Sequence, residues 1–324
     1  MRISHGSDAA RVLSFGGYQP ARVVTNDDLA ATIETSDEWI RSRVGIASRR
    51  LAGPDETVAD MAVVAAGKAL AGSGLSPADI GLVIVATCTP EVMIPNTAAV
   101  VARRLGIIAP GAYDLNAACA GFCYALAAAS DAVRSGSARH VLVIGAEKLS
   151  QWVDWTDRST CIIFADGAGA AVVGPADESD GDGEPGIGPV VWGSDGEMAD
   201  KIYIKDRNSF IFQEGQAVFR WATTSLHPVA LDACAQAGVE PAELAVFVPH
   251  QANLRIIEAV ARKIGAPQAR VATDIVTAGN TSSASIPLAL SRMIERGETA
   301  SGDKALLIGF GAGMCYAAQV ITIP

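Results

Sequence analysis

Three short stretches of this 324-residue chain carry residue types suited to nucleophilic chemistry. The first is Asp114-Leu-Asn-Ala-Ala-Cys-Ala-Gly-Phe-Cys-Tyr-Ala-Leu-Ala-Ala-Ala129, where an Ala-rich helix is predicted to begin around Cys119. A thiol at a helix N-terminus sits in the positive end of the macrodipole, which favours the nucleophilic thiolate. Taken alone, a cysteine that merely fills a tight helix contact is the commoner case, and Cys123, one turn on, fits it. The second stretch is Ala245-Val-Phe-Val-Pro-His-Gln-Ala-Asn-Leu-Arg-Ile-Ile257. A buried strand is predicted to end at Pro249, so His250 opens the following loop. Ligands of α/β proteins gather at such strand ends. A satisfied core imidazole is the plain alternative, though Gln251 and Asn253 make the neighbourhood polar. The third is Thr277-Ala-Gly-Asn-Thr-Ser-Ser-Ala-Ser-Ile-Pro-Leu288, in which Asn280 precedes residues that could simply cap a helix.

The elements that would position these groups come from an internal repeat. Ser76-Pro-Ala-Asp-Ile-Gly-Leu-Val-Ile-Val85 returns as Glu240-Pro-Ala-Glu-Leu-Ala-Val-Phe-Val-Pro249, an offset of 164 residues. The same offset relates Val141–Gly145 to Ala305–Gly309, and places Asn116 on Asn280 and Cys119 on Ser283. With a few residues of slippage, Val101–Gly106 matches Val260–Gly265. Two equivalent halves sharing one interface are expected: residues 1–174, an acidic glycine-rich surface connection at 175–189, and residues 190–324. The segments around Cys119 and Asn280 then meet near a pseudo-twofold axis, and one Cys, one His and one Asn converge. Within the first half the pattern predicts a helix over Thr57–Ala71 closed by Gly72 and Gly74, a strand over Leu82–Ala86, and a helix over Pro95–Leu105 stopped by Gly106. Strands without polar alternation imply a sheet covered on both faces, hence α/β layering.

Composition narrows the function classes. Half the residues are apolar, which excludes a disordered tail protein. With 35 acidic against 25 basic residues the net charge is −10, which disfavours a general nucleic-acid role while leaving room for a local basic patch. Six cysteines without CxxC pairs or histidines at ligand spacing predict buried free thiols in a reducing cytosol, with no metal. The N-terminus lacks the pattern of a secretory signal. Ala305–Pro324 carries no charge and is long enough to span a bilayer, but Gly309, Gly311 and Gly313 break it. Two buried strands joined by a glycine turn are expected instead, with no membrane span.

The motifs NAACAGF around Cys119, VPHQANLR around His250 and GNTSSASIP around Asn280 resemble those of the β-ketoacyl-acyl-carrier-protein synthase III family, and the likeness runs essentially end to end. These are the initiating condensing enzymes of type II fatty acid synthesis, in the thiolase superfamily. The resemblance implies a thiolase-like five-layered αβαβα fold, a homodimer, and a catalytic triad of Cys119, His250 and Asn280. Cys119 would take the acyl group of a short acyl-CoA. Malonyl-acyl carrier protein (malonyl-ACP) would then lose carbon dioxide and attack the acyl-Cys, giving a 3-ketoacyl-ACP. His250 and Asn280 would donate to the enolate oxygen, and the backbone N–H groups of Cys119 and Ala312 to the tetrahedral intermediate. Elongating synthases carry a second histidine where this chain has Asn280, and non-catalytic partner subunits lack the cysteine.

The same resemblance implies CoA contacts from Thr35, Trp39, Arg43 and Arg158 at the adenine end, and from Gly215, Phe219 and Asn253 along the pantetheine. It implies an acyl pocket of Phe164, Phe310 and Ile94, the last supplied across the dimer interface. Arg220 and Arg255 match carrier-protein docking positions, while Arg262 and Lys263 are either part of that patch or a solvated helix face. No permanently bound cofactor is implied, and the location is cytoplasmic. Two rivals stay open: a paralogue on this scaffold that primes a polyketide or transfers acyl groups elsewhere, and a non-catalytic acyl-CoA-binding partner subunit.

Overall fold

A computed structural model describes residues 5–176 and 186–324, so most of the connection expected at 175–189 lies outside the described residues. In chain order the first half supplies β1 (Ala10–Tyr18), α1 (Asp37–Val44), α2 (Val58–Ser73), β2 (Leu82–Ala86), α3 (Thr97–Arg104) and β3 (Gly111–Leu115). It closes with α4 (Gly121–Ser135), β4 (Val141–Lys148) and β5 (Asp166–Pro175). The second half supplies β6 (Val191–Gly193), α5 (Gly215–Ala237), β7 (Val246–Pro249) and α6 (Leu254–Ala261). It ends with β8 (Arg270–Val271), α7 (Ser285–Glu295), β9 (Lys304–Phe310) and β10 (Tyr316–Thr322).

The strands form two five-stranded sheets of the same order, β1-β5-β4-β2-β3 and β6-β10-β9-β7-β8. In each, the three strands at one side run parallel and the two at the other pair antiparallel. The repeat's 164-residue offset carries β2 onto β7 and β4 onto β9. Helices α4 and α7 are sandwiched between the sheets, where Phe122, Leu126, Ile286 and Leu290 pack with Val143 and Leu307. Met61 of α2 and Val101 of α3 cover the outer face of the first sheet, and Leu226 of α5 and Ile256 of α6 that of the second. The result is five layers, αβαβα. A strand enclosed on both faces has no solvent side to mark with polar residues, which is why all eight residues of β4 are buried. Each large apolar side chain so enclosed contributes roughly 1.5–3 kcal/mol.

Local signals set the helix ends. Thr57 accepts from the Asp60 N–H while the Asp60 carboxylate accepts from Thr57, a capping box that starts α2, and Gly74 ends it at φ 71°. Gly72 lies inside the helix rather than closing it. Asn96 caps α3, leaving Pro95 outside. The uncharged C-terminal stretch forms β9 and β10, and among the described residues no helix is long and apolar enough to cross a membrane.

Candidate active site

Cys119 sits in a single 3-10 turn, Ala118–Ala120, immediately ahead of α4. Its copy, Ser283, sits in the turn Ser282–Ala284 immediately ahead of α7. Both turns are entered through a non-glycine residue at positive φ, Ala118 at 48° and Ser282 at 52°, again 164 residues apart. Such a backbone costs on the order of 1–3 kcal/mol and persists only where the surroundings hold it. Here each turn is gripped by a glycine of the opposite half. A Cβ on Gly145 would lie 2.4 Å from the Ser283 carbonyl oxygen, and one on Gly309 3.0 Å from the Ala120 Cα. One residue pair further on, a Cβ on Gly311 would lie 2.5 Å from the Cys119 nitrogen.

His250 follows β7 directly and is buried. Its Nδ1 is 2.7 Å from the Ser285 hydroxyl, which also accepts the Gln251 N–H at 3.2 Å. While accepting that N–H the hydroxyl can donate its own proton to Nδ1, an arrangement in which the ring proton resides on Nε2 and faces away from Ser285. Burial pushes the imidazole down to about 3, so it is neutral at any physiological pH. Asn280 is held through both backbone groups, donating to the Ile163 carbonyl at 3.0 Å and accepting from Ala165 at 2.9 Å. Its Oδ1 accepts the Ser282 N–H at 2.8 Å, which leaves the amide NH₂ to be offered elsewhere.

Cys119, His250 and Asn280 all line one cavity of about 560 Å³, together with Phe164, Phe310 and Ala312. Among the described residues, no turn or loop carbonyl accepts from the N–H of Cys119 or Ala312, and the Cys119 N–H lies close to its own sulfur. The thiol itself departs from expectation. Cys119 keeps partial access to the cavity, yet burial pushes it up to about 12, assisted by the nearby Glu147 and opposed by the Ser282 hydroxyl and its own backbone N–H. The helix terminus is therefore outweighed, and the resting group is a thiol beside a neutral imidazole. Alkylation of Cys119 by iodoacetamide should accordingly rise about tenfold per pH unit between pH 6 and 9, following the thiolate fraction. A plateau above pH 7 would instead indicate a resting thiolate–imidazolium pair.

The cavity runs outward to Trp39, Arg43 and Arg158. The Arg158 guanidinium lies 4.5 Å from the Trp39 ring centre and that of Arg43 5.5 Å, while Arg158 also donates to the Glu34 carbonyl at 2.9 Å. A purine stacking between Trp39 and Arg158 needs roughly twice an aromatic contact distance, so the arginine must swing out to admit it. Gly215 and Phe219 also line the cavity, and a Cβ on Gly215 would meet nothing within 4 Å. Asn253 lines it as well while capping α6 and donating to the Arg43 carbonyl. Thr35 does not reach the cavity wall, although its hydroxyl is buried without a partner among the described residues.

The other expected positions lie apart from the cavity. Ile94 is 87% exposed and is not part of the wall of this cavity. Arg220, Arg255 and Arg262 are exposed on α5, on α6 and just past α6, with no carboxylate partner among the described residues. Arg255 stacks 5.2 Å from the ring of the cavity-lining Phe219. Lys263 instead donates to the Thr223 carbonyl, which ties the end of α6 to α5. All six cysteines are free, but Cys88, Cys119 and Cys315 are only partly buried, against the expectation of six enclosed thiols. Among the described residues no group of three or more His, Cys, Asp or Glu is placed to hold a metal ion.

Sequence reasoning missed Ser282, Ser285 and Glu147. The first two resemble ordinary helix-capping serines. Glu147 carried a readable signal, an acidic residue ending the otherwise uncharged run Val141–Ala146.

An αβαβα duplication with a cysteine where its halves meet is the architecture of thiolase-fold acyltransferases. The model of the 3-oxoacyl-[acyl-carrier-protein] synthase III family matches residues 113–196, and that of its C-terminal region residues 234–323. β-Ketoacyl-[acyl-carrier-protein] synthase III 4 of Streptomyces coelicolor is 58% identical over 315 residues, covering 97% of this chain and 99% of that protein. The crystal structure of the priming β-ketosynthase of the R1128 polyketide pathway superposes with a TM-score of 0.95 at 44% identity, covering 100% of this chain and 98% of that one. The Aquifex aeolicus 3-oxoacyl-[acyl-carrier-protein] synthase III superposes at 0.92 and 40% identity, over 97% of this chain and all of that one. This chain belongs to the 3-oxoacyl-[acyl-carrier-protein] synthase III family.

Proposed function

We propose that the chain is a condensing acyltransferase that joins a short acyl-CoA primer to malonyl-ACP, giving a 3-ketoacyl-ACP that starts fatty acid synthesis. The observation that carries this reading is the shared cavity: one thiol, one imidazole whose Nδ1 is engaged by Ser285, and one amide with its oxygen taken by Ser282. In the first half-reaction the Cys119 sulfur bonds to the acyl carbon, the acyl–CoA sulfur bond breaks, and the thiol proton leaves with CoA. His250 already holds its Nε2 proton, so it does not take this one. In the second, the malonyl carbon–carboxylate bond breaks and carbon dioxide departs. The enolate oxygen is held by His250 Nε2–H and the Asn280 amide, and its carbon attacks the acyl-Cys carbonyl. The Cys119 and Ala312 N–H groups hold the resulting oxyanion. Cys119 is expelled and regains one proton from solvent.

Decarboxylation supplies the carbanion without a strong base. Two neutral donors are therefore enough, in keeping with an imidazole that burial keeps uncharged. Incubation with acyl-CoA and malonyl-ACP is expected to yield a 3-ketoacyl-ACP and carbon dioxide in equal amounts. Acyl transfer without carbon dioxide release would overturn the proposal. The likeness to the R1128 priming ketosynthase favours a second reading, in which the same chemistry primes a polyketide. Comparing primers and carrier proteins in that assay separates the two.

The halves 1–174 and 190–324, joined through 175–189, would divide the labour: the first carries the nucleophile, the second both donors. Trp39, Arg43, Arg158 and Thr35 are assigned to the adenine end of CoA, and Gly215, Phe219 and Asn253 to its pantetheine. Phe164 and Phe310 are assigned to the acyl chain. The exposed Arg220 and Arg255 suit docking of an acidic carrier protein, with Arg262 beside them. Arg255→Glu should raise KM for malonyl-ACP about tenfold and leave acyl-CoA transacylation almost intact, whereas equal damage to both would remove the docking role.

A homodimer is supported by β3, an edge strand whose unpaired side is exposed next to the apolar Met93, Ile94 and Tyr113. Its pairing with a second copy would also bring Ile94 to the neighbouring acyl pocket. The mass in solution should be twice 33.4 kDa, and a monomer would refute the assembly. Six free thiols suit the reducing cytoplasm, where we place the reaction.

A further inference from the structure

We propose that Glu147 is a positioning residue for the condensation half-reaction, acting through Ser282 on the amide of Asn280; the inference rests on the function proposed above. Glu147 is the penultimate residue of the fully buried strand β4 and is itself 0% exposed. Its Oε2 accepts from the Thr89 hydroxyl at 2.5 Å, the Cys88 N–H at 3.1 Å and the Thr87 hydroxyl at 3.2 Å. Its Oε1 accepts from Ser283 at 3.0 Å, Ser282 at 3.1 Å and the Cys88 thiol at 3.4 Å. Among the described residues no cation answers it, and the neighbouring Lys148 donates instead to the carbonyls of Gly53, Pro54 and Glu56. A buried carboxylate without a counter-ion is an expensive way to fill space, since an apolar residue of that volume avoids the desolvation cost.

The duplication indicates what the group is for. The 164-residue offset pairs Glu147 with Gly311, Ser283 with Cys119, Asn116 with Asn280 and Ala86 with His250. In the catalytic copy, Gly311 has no side chain and Cys119 lies against its backbone. In the other copy the Glu147 side chain reaches to Ser283, whose hydroxyl also approaches the Ala86 carbonyl at 2.8 Å. The second, pseudo-symmetric site is thus closed by a side chain, and that side chain crosses to the turn that completes the first site. Ser282 is held at φ 52°, its hydroxyl on Glu147 and its N–H on the Asn280 Oδ1. The chain Glu147–Ser282–Asn280 is what fixes which end of the amide is offered to the enolate. A shift of about 1 Å in such a donor costs as much as a hundredfold in rate.

The test separates the half-reactions in Glu147→Gln, Glu147→Asp and Ser282→Ala. Carbon dioxide release from malonyl-ACP, CoA release from acyl-CoA and thermal midpoint are followed for each. Glu147→Gln is expected to lower kcat for decarboxylation at least tenfold while KM for malonyl-ACP stays within about threefold and transacylation is not slowed, since losing the charge near Cys119 favours its thiolate. Glu147→Asp should recover part of the loss, and Ser282→Ala should reproduce the loss of decarboxylation without touching Glu147. The inference is overturned if Glu147→Gln decarboxylates like the unaltered chain, or if both half-reactions fall together. Should Glu147→Gln fail to fold, the carbon dioxide release of Ser282→Ala decides: a rate equal to that of the unaltered chain overturns the inference. If the unaltered chain itself releases no carbon dioxide, the proposed function fails and this inference with it; if it does and Glu147→Gln matches it, only this inference fails.

Discussion

Replacing Cys119 by Ala is expected to abolish acyl-enzyme formation and cut condensation by more than about 10⁴-fold, while malonyl-ACP is still decarboxylated to acetyl-ACP. The reasoning is local. The turn that holds Cys119 is fixed by Ala118 at positive φ and by the close approach of Gly309 and Gly311, none of which depends on the sulfur. Without the thiolate there is no covalent acceptor for the primer, so the first half-reaction has no route. The donors of the second are untouched, since His250 is set by Ser285 and Asn280 by Ser282. Uncoupled carbon dioxide release is therefore the signature. Its measurement, with loss of 3-ketoacyl product, checks the prediction, whereas condensation surviving in the alanine variant would contradict it.

The second large effect is the converse. His250→Ala or Asn280→Ala should each slow decarboxylation by about 10² to 10³-fold, equivalent to roughly 3–4 kcal/mol for one preorganised donor in a dry site. Transacylation of Cys119 should change by only a few-fold. His250 is too far depressed, at about 3, to serve as the base for a thiol raised to about 12, so its loss removes a donor rather than a proton acceptor. Separate assays of CoA release and carbon dioxide release read this directly. If His250→Ala stops CoA release as completely as Cys119→Ala does, the imidazole is a base and its assignment as a neutral donor is wrong. The double variant should fall short of the sum of the singles, because both donors serve one oxygen.

The parts of the fold governed by short-range patterning were legible from the residues. The apolar runs of β2 and β9, the caps of α2 and the strand end before His250 are all local signals, and their boundaries fall within a residue or two of expectation. The duplication was legible too, because the halves preserve sequence at matching strands and at the Asn116 and Asn280 turns. Less visible was everything that depends on contact across the interface. Glu147 bonds to residues about 60 and about 135 positions away, and nothing in its own segment names those partners. The helix terminus at Cys119 suggested a thiolate, but the depth of enclosure that reverses the balance belongs to both halves together. The Ser285 hydroxyl that engages the His250 Nδ1 resembles any serine at a helix start. Ile94 stands away from the cavity of its own chain, and the role proposed for it depends on a second chain.

The most direct test of the central claim is the mass of the Cys119 peptide after a brief exposure to a short acyl-CoA. The account predicts that the acyl mass appears on Cys119 alone, and that malonyl-ACP then discharges it with release of one carbon dioxide per acyl group. An acyl group found on another residue, or one on Cys119 that malonyl-ACP leaves in place, would contradict it.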